Sequence, residues 1–186
     1  MKHPEALLVP VLMLRDHFLT VWGSIQREKK HAEHFKITHY ELNPVWQKSI
    51  AQKKWFNLPH TLITIGISMY IIWMANYIDV PDEIVEGMLG ALIGCFGMIV
   101  GRHVSNLLTF RYYIQNPDGI SGQVVMSHPL LLATSSYQYI TVLLPIGLIA
   151  ICSGSFFAYG GVAGISLSLF SHFIWWIKAK RWVARA

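Results

Sequence analysis

At 186 residues the chain has about one domain's length, yet 53% of it is hydrophobic, 13% is charged and its mean hydropathy is +0.41. So apolar a chain is not intrinsically disordered, and two cysteines exclude a disulfide scaffold. The net charge of +5 does not call for nucleic acid, because basic residues facing an anionic inner leaflet account for it.

Between Asp118 and Lys178 lie 59 consecutive residues without Asp, Glu, Lys or Arg. One crossing of the hydrocarbon layer takes about 20 residues, so that stretch holds two. In chain order, helices are expected at about 6–25, 58–78, 84–109, 129–152 and 156–177, with a cytoplasmic loop at 27–57 and one membrane domain over 1–186. The fold class is therefore an all-α polytopic membrane bundle of five transmembrane helices, or four plus an interfacial N-terminal helix. The first segment is the doubtful one. It holds Pro10 and the triplet Arg15, Asp16, His17 near its middle, and charges at that depth need shelter from neighbouring helices. A cleaved signal peptide fits poorly, since Arg15 and Asp16 stand where a small-residue cleavage site belongs. Arg15 and Asp16 are neighbours that do not share a helix face, so each looks for a partner elsewhere, on the second or third segment. Pro81 and Asp82 punctuate the turn before the third segment, and Ser153, Gly154 and Ser155 divide the fourth from the fifth.

Of the 15 Lys and Arg residues, 13 fall on one side: seven between Arg27 and Lys54, four in the tail from Lys178, and Arg102 and Arg111. The turn from Asp79 to Glu86 carries four acids instead. The positive-inside rule then places the 27–57 loop and the C-terminus in the cytoplasm. Trp55, Tyr77, Trp175, Trp176 and Trp182 stand near span ends, at the headgroup depth such rings prefer.

The third segment carries Gly87, Gly90, Gly94, Gly97 and Gly101, at spacings of three, four, three and four, with Ser105 four residues on. This keeps one helix face almost bare for more than four turns. Gly161, Gly164, Ser168 and Ser171 form a matching strip on the fifth segment. Bare faces let helices approach closely where no hydrophobic drive exists between them, or they line a narrow passage. The glycine run with Ser105, Asn106, Leu107 and Leu108 resembles the pore helix of small-conductance mechanosensitive channels over about 20 residues. In that family a soluble β-rich domain follows, whereas two more hydrophobic spans follow here, so the family is not assigned.

Polar residues at membrane depth gather at the cytoplasmic end: Arg102, His103, Asn106, Arg111 and His172. His103 and His172 have matched depths, as bis-imidazole haem ligation requires. His103 is two positions beyond Gly101, about 200° from the bare face, so it should point away from the fifth segment. No cofactor is therefore expected. Arg102 and Arg111 suit phosphate contacts or interfacial anchoring by snorkelling. His31 and His34 stand at i and i+3, but flanking charges and the lack of cysteine read as a solvated helix extension rather than a metal site. No nucleophile motif, phosphate loop or pair of membrane carboxylates is seen, and Asp16 is the one acid well inside a span, so an enzyme is not expected. The expected function is a small channel or transporter for ions or small solutes, acting as a homo-oligomer whose path runs along the third helix. The alternatives are a non-catalytic accessory or assembly subunit among other membrane subunits, and a haem-binding redox anchor.

Overall fold

The computed structural model describes residues 2–29, 31–37, 40–119 and 121–183, the side chains of 181–183 excepted. Lys30, His39 and Arg185, and the side chains of Arg181 and Trp182, lie outside the described residues. The chain is 81% helical, and five helices are long and apolar enough to cross a membrane. They are α1 (Leu8–Arg27), α2 (Leu58–Tyr77), α3 (Asp82–Gln115), α4 (His128–Ser153) and α5 (Phe156–Val183). The doubtful first segment is one of the five, lengthened by a 3-10 turn over Pro4–Leu7.

Local chemistry sets the helix ends. The Asn57 side chain accepts the His60 N–H at the start of α2, and Ser127 accepts that of Leu130 at the start of α4, each with a proline in the first turn. Gly154 ends α4 with φ 64°, and its N–H reaches the Ala150 carbonyl at 3.0 Å. The third helix runs 34 residues, past the expected end at 109. No glycine or proline interrupts it between Arg102 and Gln115, and it stops at Asn116, where the following Pro117 disfavours helical geometry.

The end bearing the acidic turn is apolar inside. Ala6, Val9 and Met13 pack with Ile71, Met74 and Ala75 of α2 and Val85 and Leu89 of α3. Lys2 forms an ion pair with Asp82, and the Asn76 amide oxygen accepts the backbone N–H groups of Lys2 and His3 at 2.8 and 3.1 Å.

The glycine strip divides in two. In its first half the backbones of α3 and α5 touch. A Cβ on Gly90 would enter the Phe157 carbonyl, one on Gly160 the Gly87 carbonyl, and one on Gly164 the Ala91 carbonyl. A Cβ on Gly94 would stand 2.8 Å from the Gly161 Cα. At Gly97 and Gly101 an added Cβ meets nothing within 4 Å, and Gly101 and Ser105 are exposed. The strip is therefore not covered along its length by one neighbour. Gly97 and Gly101 instead line a groove between α3 and α4. Ser168 marks the transition, its hydroxyl 2.9 Å from the Cys95 sulfur, while Ser171 donates back to the Leu167 carbonyl of its own helix.

The 28–57 loop is folded rather than solvated. After one helical turn, His31–His34, comes β1 (Phe35–Ile37), which pairs in parallel with β2 (Val124–Met126) in the register Phe35↔Val124 to Ile37↔Met126. His31 stacks on Phe35 at 4.3 Å and edges onto Phe110 at 4.8 Å, and His34 bonds the Gly122 carbonyl at 3.0 Å. Both imidazoles are thus used in packing the loop onto α3 and the 116–127 connector.

Alanine separates the two halves of the strip. Gly90→Ala forces α5 backbone to move and should destabilise the protein in detergent by about 1–3 kcal/mol, the scale of overpacking. Gly101→Ala has free space and should be neutral or slightly stabilising. Equal melting temperatures for the two variants would contradict this packing.

Candidate functional site

Each span brings polar residues spaced at i and i+4, one turn apart on a single face. They are Asp16 and Thr20 on α1, His60 and Thr64 on α2, Arg102 and Asn106 on α3, Ser135 and Tyr139 on α4, and Ser168 and His172 on α5. His17 and His103 flank the first and third pairs. These faces converge at the loop end around an inner chamber of about 290 Å³, lined among others by Asp16, His17, His60, Arg102, Tyr139 and His172. A second chamber of about 260 Å³ lies under the loop, between Tyr40, Phe110, Asn106 and Ser135. Glu41, Arg102 and His103 line both.

Asp16 finds its partner on the third span. The Thr20 hydroxyl donates to the Asp16 carbonyl at 2.7 Å, so it accepts at 3.0 Å from His103 Nε2, which also lies 3.1 Å from Asp16 Oδ1. The other ring nitrogen of His103, Nδ1, is buried with no partner among the described residues. His172 has the complementary arrangement: Nδ1 donates to the Ser168 carbonyl at 3.0 Å, and the buried Nε2 has no partner among the described residues. His17 donates through Nε2 to the Lys54 carbonyl at 3.1 Å and stacks on His60 at 4.8 Å. Trp46 edges onto His60 at 5.5 Å, turned into the chamber rather than onto a membrane surface.

Arg102 does not snorkel outward. Its guanidinium donates to the Ser135 hydroxyl and lies 5.7 Å from the centre of the Tyr139 ring, which is fully buried with its hydroxyl unpartnered among the described residues. Arg111 is exposed and outside the chambers. His103 faces α1, as its phase requires, while His172 lies 4.9 Å from Tyr139. No group of three or more His, Cys, Asp or Glu is arranged to hold a metal ion among the described residues.

The loop closes the site. Glu41 accepts the Asn43 N–H at 2.6 Å, and burial pushes its carboxyl above the usual range despite the nearby His103 and Arg102. The Tyr40 hydroxyl packs where a Cβ on Gly23 would stand, and burial pushes its pKa up to about 12. Glu41 thus joins Asp16 as a second acid at the site. It escapes a search confined to spans because it belongs to a loop. Ser135 and Tyr139 were legible in principle, since the i, i+4 polar pair recurs on every span.

The site therefore combines one guanidinium, an Asp–His pair, a carboxyl whose burial favours its neutral form, and two buried imidazole nitrogens, His103 Nδ1 and His172 Nε2, without a partner among the described residues. Such a set can hold a small anion and accept or release protons.

Replacing Gly23 with alanine should expel Tyr40 and free the loop, raising protease cleavage near residues 40–46 in the folded protein; unchanged cleavage would count against the docking. Burial, with the Arg27 and His34 charges, lowers His31 from 6.5 to about 4. The neutral ring is thus the folded form, and the stability it contributes is whole above pH 6.5 and lost as pH falls toward about 4. Hydrogen-exchange protection of the 31–37 amides, measured against the intrinsic exchange rate at each pH, should fall over that window and stay constant between pH 7 and 9.

Compared with protein families, curated proteins and solved structures, the chain matches none.

Proposed function

We propose that the chain is a small membrane transporter, with the paired chambers beneath the folded loop as its solute site, closed toward the acidic turn. The observation that carries this reading is Arg102, a charge held inside the bundle where both chambers meet, surrounded by groups that exchange protons. A half-buried cation among the spans, with no carboxylate ion pair among the described residues, is expensive unless a ligand or water compensates it. The favoured solute is accordingly a small anion moved together with protons. The glycine contact between α3 and α5 blocks a continuous path along α3, which favours alternating access over an open pore. Orientation follows the lysine and arginine count, with the loop and the C-terminus cytoplasmic. A homo-oligomer was expected because one chain has few helices to enclose a path. Residues of all five helices line the inner chamber, and the homo-oligomer stays part of the proposal.

The test is proteoliposome flux with entrapped pH dye and a panel of phosphate, sulfate, nitrate, chloride and carboxylate anions. At least one anion should change lumenal pH above empty vesicles. Arg102→Gln should slow it about tenfold or more, the scale of a charge-assisted hydrogen bond. Asp16→Asn should weaken the proton signal more than the anion flux. A panel with no response in the wild-type protein would contradict the reading.

A further inference from the structure

Arg102 also lines a third cavity, a lateral groove of about 580 Å³ between α3 and α4. α3 and α4 both pack on α5, whose Ile165 lies at the base of the groove. One wall is the bare backbone of Gly97 and Gly101, and the other carries Val142 and Ile146. Ser105, Gln138 and Arg102 make its loop end polar. From Gly94 to Ser105 is about 16 Å of helix, close to half of the roughly 30 Å hydrocarbon thickness. The groove thus has the length of one leaflet, an apolar floor, and a cation at its loop end. Among the described residues Arg102 bonds a neutral hydroxyl, Ser135, and forms no ion pair with a carboxylate.

We infer that this groove binds one anionic phospholipid from the loop-side leaflet, its acyl chain along Gly97 and Gly101 and its phosphate on Arg102. The chain replaces the side chains that the second half of the strip lacks, restoring van der Waals contact to exposed backbone. The phosphate supplies a direct charged partner, which Arg102 lacks among the described residues. The inference goes beyond transport, because binding is measured without flux.

Native mass spectrometry of the full chain in detergent, titrated with dioleoyl-phosphatidylglycerol or dioleoyl-phosphatidylcholine, tests it. The wild-type protein should take its first phosphatidylglycerol at a concentration about tenfold lower than phosphatidylcholine, as one charge-assisted contact provides. Arg102→Gln should abolish that preference. Gly97→Leu, whose Cβ meets nothing within 4 Å, should fold and weaken first-lipid binding of both kinds. Gly66→Leu, equally unobstructed but on α2, should bind as wild type. Absence of headgroup preference in the wild type, its persistence in Arg102→Gln, or wild-type binding by Gly97→Leu would each overturn the inference.

Discussion

Where Gly90 and Gly94 of α3 meet Phe157 and Gly161 of α5, no side chain separates the two backbones. In lipid, helices gain little by hiding apolar surface from one another, and dense contact between backbones is what holds such a pair. The contact pins α3 and α5 at one end. Beyond Gly94 the strip turns bare: Gly97 and Gly101 line the groove toward α4, while Cys95 still meets Ser168 of α5. The lateral groove opens along this bare half, and Arg102 stands where it meets the two chambers.

The two ends of the bundle consequently differ in chemistry. Toward the acidic turn the interior is aliphatic, with Val9, Leu89 and Val85 almost wholly buried. Toward the loop it holds Asp16, His60, His103 and His172, of which the three histidines are also buried. Polar groups at that depth are tolerated only when they find partners in the protein or line a hydrated space. Here Asp16 answers His103 and Ser135 answers Arg102, while His103 and His172 line the chamber. The folded loop completes the enclosure by inserting Glu41 and seating Tyr40 against Gly23.

Five apolar segments, their approximate limits and the bare strip on α3 were legible in the sequence, because length, hydropathy and a glycine period act locally. The extent of contact along that strip was not. Gly97 and Gly101 repeat the same period as Gly90 and Gly94, yet side chains on other helices decide that they stand open. Arg102 reads as an interfacial anchor until Ser135 and Tyr139, more than 30 residues away, draw it inward. The pairing of β1 with β2 joins residues about 90 apart, and neither strand is long enough to show a period. Glu41 was missed because a loop carboxylate is ordinarily solvated, and only the tertiary fold buries this one.

The packing of α3 on α5 is most directly tested beside the glycine contact, between the Cys95 sulfur and the Ser168 hydroxyl, 2.9 Å apart. In a Cys152→Ser background, Ser168→Cys should form an internal disulfide with Cys95 under mild oxidation, joining fragments of α3 and α5 after proteolysis. Two thiols that stay free and react separately with a maleimide would contradict the arrangement.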